Sequence, residues 1–135
     1  MLLWTLKSFV GEDRVKIVKS WCEAQTDDVW GAFVFHLKYL AGVPPARWVR
    51  PWVALLHGGK RTRKAGCVGL VELIFEVGNI QYRPRGYFSG KMEFTILFFA
   101  IENGGEFEPS TACRIAKERI AIIKADKERA REFRL

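Results

Sequence analysis

The part of this chain that most restricts its fold is 68–84, where β-branched and aromatic residues crowd on both sides of Gly78-Asn79. A two-residue Gly-Asn connection is a favoured tight hairpin loop. With that turn, Val77 meets Ile80, Phe75 meets Tyr82 and Leu73 meets Pro84 on one face. Strand side chains alternate, so Glu76 and Gln81, Ile74 and Arg83, and Glu72 and Arg85 share the other face. The first set reads as core, the second as a charged platform facing water. A guanidinium is a planar, permanently charged fork of donors, so Arg83 and Arg85 on such a platform suit phosphate. The competing arrangement pairs Arg85 with Glu72 and lays the Arg83 stem over Ile74. Both remain open at this level.

Residues 2–10 predict a strand ended by Gly11, with Glu12 and Asp13 at the start of a first helix. That helix carries the apolar stripe Val15, Val18 and Cys22 and ends near Gln25. Thr26 before Asp27-Asp28 predicts the N-cap of a second helix, striped by Val29, Phe33, Leu37 and Leu40 and stopped by Gly42 and Pro44-Pro45. Residues 44–59 read as an extended crossing with one short turn of helix or strand, and 86–91 as a loop. Apolar residues at both parities make 93–101 a central strand, broken at Asn103-Gly104-Gly105. Pro109-Ser110-Thr111 opens a last helix with Ala112, Ala116, Ile120 and Ile123 on one face, continuing beyond Lys124 as a charged helical tail. The five tryptophans and His36 read as packing residues.

With 135 residues, 49% of them hydrophobic, the chain can bury one core, and 1–135 reads as one domain. Lys and Arg number 22 against 15 Asp and Glu, a net charge of +7. Such an excess suits a polyanion, an acidic protein or an anionic membrane surface, and equally a plain basic surface. Cys22, Cys67 and Cys113 are odd in number, widely spaced and without a C-x-x-C, so they read as buried thiols in a reducing compartment. No apolar run reaches the roughly 18 residues a membrane span needs, and residues 1–7 lack the features of a secretory signal. The expected location is the cytoplasm.

Taken together, Lys64, Gly69-Leu70-Val71-Glu72-Leu73 and Tyr82-Arg83, followed by Pro109, Ala116 and Arg119, resemble the RelE/HigB superfamily of toxin–antitoxin ribonucleases, most closely its phage-derived HigB-like branch. Two positions depart from that pattern. Ile74 stands where the family has the arginine of Glu-Leu-Arg, and Asn103-Gly104 where the branch carries paired lysines.

The element order gives an α+β plan, and the resemblance makes it RelE-like: an antiparallel sheet with an N-terminal helical hairpin and a C-terminal helix packed on one face, the other face left free. The resemblance further implies cleavage of mRNA on the ribosome by 2′-hydroxyl attack, without metal or cofactor, by a protein neutralised by an acidic or helix-turn-helix antitoxin. Lys64, Arg83 and His57 would then be catalytic: Lys64 as transition-state cation or general base, Arg83 on the phosphate, His57 as proton donor. Lys60, Arg61, Arg63, Arg85, Tyr87 and Lys91 would contact RNA. The two departures favour a rival reading, a catalytically silent phage-derived RNA- or protein-binding module on the same fold.

Overall fold

A computed structural model describes residues 2–56 and 67–135 of the chain. At the turn, Gly78 and Asn79 both adopt positive φ, 54° and 70°, as a two-residue hairpin loop requires. The turn joins β4 (Phe75–Val77) to β5 (Ile80–Gly90) in the expected register, with Phe75 opposite Tyr82, Glu76 opposite Gln81 and Val77 opposite Ile80. β3 (Val71–Leu73) continues along the same side of β5 and sets Glu72 opposite Arg85. Between β3 and β4 the ladder breaks at Ile74, across from Arg83 and beside Pro84. Pro84 has no N–H to donate, and Ile74 gives its own to the Trp52 carbonyl at 2.9 Å.

β5 does not end at Pro84. Residues 86–91, read from sequence as a loop, carry the strand on to Gly90 because β6 (Glu93–Asn103) pairs with it antiparallel from Gln81–Glu102 to Gly90–Glu93. A bulge interrupts this ladder: Arg85 faces Phe98 and Gly86 faces Ile96, leaving Leu97 unopposed. The extra residue switches parity. Phe94, Ile96, Phe99 and Ile101 belong to one core, while Leu97 and Phe98 belong to the other.

β1 (Thr5–Phe9) runs parallel to β6, which makes β6 a central strand. On the far side of β3 lies β2 (Val53–Leu55), and beyond β1 lies β8 (Ala130–Glu132). The described sheet is thus ordered β2-β3-β5-β6-β1-β8, with β4 also on β5 and β7 (Glu106–Glu108) also on β6. Neither β7 nor β8 was expected. The α-helix does not continue as a charged tail: it ends at Ala125, Asp126 accepts the Glu128 N–H at 3.0 Å in a single 3-10 turn over Lys127–Arg129, and β8 places Glu132 opposite Lys7.

α1 (Ile17–Glu23) starts later than expected. Glu12 and Asp13 are outside it, and the Asp13 carboxylate instead accepts the Val15 N–H at 3.0 Å in the preceding turn. α2 (Asp27–Ala41) begins as predicted, with the Thr26 hydroxyl accepting the Val29 N–H at 3.4 Å. Its stripe of Val29, Phe33, Leu37 and Leu40 is buried against β3, β4 and β6, each side chain contributing about 1.5–3 kcal/mol. α3 (Ala112–Ala125) packs on the opposite side, through Cys113, Ala116 and Ile123 against Phe9, Leu70 and Leu97. The fold is α+β with a mostly antiparallel sheet, but its helices cover both faces rather than one. The bulge is the physical reason, since it supplies an apolar set to each side.

Gly86 tests the bulge. A β-carbon there would stand 2.3 Å from the Thr95 carbonyl oxygen and 2.5 Å from Phe94 Cζ. Gly86→Ala should therefore lose about 3 kcal/mol of stability in urea denaturation. Gly31→Ala, on α2 where nothing lies within 4 Å, should gain about 1 kcal/mol.

Candidate functional site

Alternation along β5 does bring Arg83 and Arg85 to one side of the sheet, but that side is not open to water. Arg83 is 7% exposed, Arg85 0% and Glu72 5%. The first turn of α3 and strand β7 lie against Arg85, and the burial of all three side chains corrects the expectation of a free, charged platform. The Arg85 guanidinium stacks on the Phe107 ring, 3.8 Å from its centroid. Its Nε donates to Cys113 Sγ at 3.4 Å and its Nη1 to the Arg83 carbonyl at 2.9 Å. Among the described residues Nη2 has no hydrogen-bond partner, and neither does Oε2 of Glu72 on the facing strand.

Arg83 is equally occupied. Its Nη1 donates to the Tyr82 carbonyl at 2.7 Å and the Phe75 carbonyl at 3.4 Å, and its Nη2 donates to Gln81 at 2.8 Å. Glu102 lies 3.7 Å from the same nitrogen. The carbonyls it serves flank the break at Ile74, so Arg83 seals the hairpin it was expected to decorate.

Burial sets the titration of this cluster. Loss of hydration pushes Arg85 down to about 10, against the opposing pull of Glu72. The same desolvation holds the Glu72 carboxyl above the usual glutamate range, with Arg85, Arg83 and Arg50 acting to lower it. Two members of the cluster therefore sit where charge is costly, and water cannot relieve either.

Cys67 and Cys113 form a disulfide with a Cα–Cα separation of 5.0 Å, linking the turn before β3 to the first turn of α3. The expectation of three free thiols is corrected accordingly. A spacing rule cannot see this pair, because 46 residues separate the two cysteines and only the folded sheet brings them together. Cys22 remains free and half-buried, with its thiol pushed up to about 11 by desolvation.

His57, Lys60, Arg61, Arg63 and Lys64 lie outside the described residues. Their flanks border β3: the Leu56 N–H donates to the Leu70 carbonyl at 2.7 Å and the Gly69 N–H to the Leu56 carbonyl at 3.1 Å. Tyr87 is on β5 on the Arg85 side, half-buried against the α3 core. Phe88 is turned to the other face and packs on Trp4 and Trp48, at 5.8 and 5.6 Å between centroids. Lys91 is exposed in the β5–β6 turn, six residues beyond Arg85 and so roughly 20 Å along the strand. It does not join the arginines. Trp30, read as a packing residue, is 49% exposed.

Two contributors were not singled out from sequence. Phe107 lies on a three-residue strand, too short for its polar–apolar–polar alternation to reveal it. Arg119, noted only for its place on the last helix, donates to the bulge carbonyl of Leu97 at 2.8 Å and covers the rings of Phe9 and Phe98. Among the described residues no group of His, Cys, Asp and Glu could hold a metal ion, and no helix is long and apolar enough to cross a membrane. No protein-family model, curated protein or solved structure matches the chain.

His36 is structural, as read from sequence: it is buried, with Nε2 2.9 Å from the Trp52 carbonyl. Desolvation lowers its pKa from the ordinary 6.5, more than the carbonyl raises it. The folded protein thus keeps the ring neutral where the unfolded chain takes up a proton. Its contribution is present above about pH 6.5 and is lost as pH falls. The stability advantage of wild type over His36→Leu, measured by urea denaturation, should shrink between neutral and mildly acidic pH; a constant difference would contradict the assignment.

Proposed function

We infer that the chain is a catalytically silent module on a RelE/HigB-like plan, which binds RNA through exposed cations around β3. The commitment of Arg83 and Arg85 to the protein interior carries this reading. A phosphate clamp needs guanidinium edges open to the ligand, and here those edges hold strand carbonyls, Gln81 and Cys113, while Phe107 covers the face of Arg85. Ile74 and Asn103-Gly104, which replace basic residues of the family pattern, point the same way. What remains for RNA is perimeter charge. Arg50 is exposed yet close enough to bias Glu72, and the Lys117 ammonium lies over Gly69, 3.7 Å from where a β-carbon would stand. The net charge of +7 supports an anionic partner.

The mRNA interferase reading keeps one observation in its favour. The segment that holds His57 and Lys60 to Lys64 begins and ends beside β3, the strand next to Arg85. In that reading ribosomes supply the mRNA and an acidic or helix-turn-helix antitoxin restrains the protein. One experiment separates the two. A labelled single-stranded RNA should bind with a salt slope that falls by about 0.7 for each of Arg50→Ala and Lys117→Ala, and should stay intact on a denaturing gel, with or without ribosomes. Cleaved RNA would restore the interferase; no binding at low salt would remove the RNA reading altogether.

A further inference from the structure

The cover over Arg85 is poorly built as a helix start. Thr111 makes no side-chain cap, the first turn of α3 has no acidic residue, and Arg114 is there instead. The positive end of a helix therefore lies beside a buried guanidinium, an unfavourable pairing. Among the described residues Nη2 of Arg85 and Oε2 of Glu72, on the facing strand, are buried without hydrogen-bond partners, and Arg85 would be hydrated if the turn lifted. The buried residues of this part of α3 are small, Ala112, Cys113 and Ala116, so the apolar area holding the turn down is modest. The covalent tie is the Cys67–Cys113 disulfide, whose Cys113 sulfur also accepts the Arg85 Nε–H.

We propose that the first turn of α3 is a disulfide-latched cover over a cryptic RNA-phosphate site, in which Arg85 meets the backbone once the Cys67–Cys113 bond is opened. This rests on the RNA reading above and adds its regulation. A cellular dithiol is the reductant. It breaks the one sulfur–sulfur bond, delivers two electrons and two protons to Cys67 and Cys113, and leaves as a cyclic disulfide. Against a cellular dithiol pool a disulfide is ordinarily transient or redox-sensing, which agrees with a latch rather than a permanent staple. Opening it frees the first turn of α3, hydrates the stranded nitrogen of Arg85, and returns to the ligand the guanidinium edge that Cys113 now occupies, while the Phe107 ring stays stacked on the guanidinium face.

The test compares binding of a fluorescein-labelled single-stranded uridine oligonucleotide by the oxidised protein and by Cys67→Ser/Cys113→Ser, at about 50 mM salt. The open variant should bind about tenfold tighter or more, and adding Arg85→Met to it should abolish the gain. Equal affinity of the oxidised and open forms, or a gain that survives loss of Arg85, overturns the latch while leaving perimeter binding intact. Absence of binding by every form overturns the RNA reading and this proposal with it. Because the serine variant can fail on stability alone, hydrogen exchange of the wild-type chain before and after dithiothreitol supplies a second measure. Reduction should raise exchange in 107–116 while α2 stays protected; unchanged or uniformly raised exchange counts against the cover.

Discussion

The structure depends on the β5–β6 ladder and the bulge within it. β3 and β4 attach to β5, β1 and β7 attach to β6, and β2 and β8 follow from those. By inserting Leu97, the bulge turns an alternating strand into one that offers apolar residues to both sides in sequence. Phe94, Ile96, Phe99 and Ile101 serve α2, while Leu97 and Phe98 serve α3. Arg119 holds the bulge carbonyl from the α3 side. Gly86 lets the Phe94 ring close over the backbone opposite.

The covering of both faces decides the fate of the charged residues on the hairpin. A guanidinium loses a large hydration energy on burial, and the loss is tolerable only where other groups replace water. For Arg85 the replacements are the Phe107 ring, the Cys113 sulfur and the Arg83 carbonyl, and they leave one nitrogen unserved. For Arg83 they are strand carbonyls and Gln81, with Glu102 nearby. The same property that made these arginines attractive for phosphate, a rigid fork of donors, lets them bind backbone carbonyls across the gap left by Pro84. The disulfide then ties the cover to the turn before β3, so the buried cluster, the helix start and the basic edge of the sheet form one connected region.

Local features of the hairpin and of α2 were legible because nearby residues determine them. Gly78-Asn79 permits few turns, and the turn sets the register of every pair on β4 and β5. Thr26 and its following acids start α2 wherever the rest of the chain goes. The loop expected over 86–91 failed because Gly-bounded polar residues resemble a loop until a partner strand offers hydrogen bonds along their length. The expected helical tail failed similarly: its charges are compatible with helix, but the free edge of β1 captures residues 130–132 as a strand. The disulfide and the Phe107 stack join residues whose neighbourhood exists only after the sheet has formed.

From the residues alone come the α+β character, the hairpin register, the α2 stripe and the placement of Arg83 and Arg85 on the same side of β5. Each follows from short-range rules: turn stereochemistry, strand alternation and helical periodicity. Whether that side faces water, and what the arginines therefore touch, was settled by tertiary structure. One unopposed leucine in β6 shifts the side-chain parity, and that shift gives α3 an apolar seat on the face where the arginines stand.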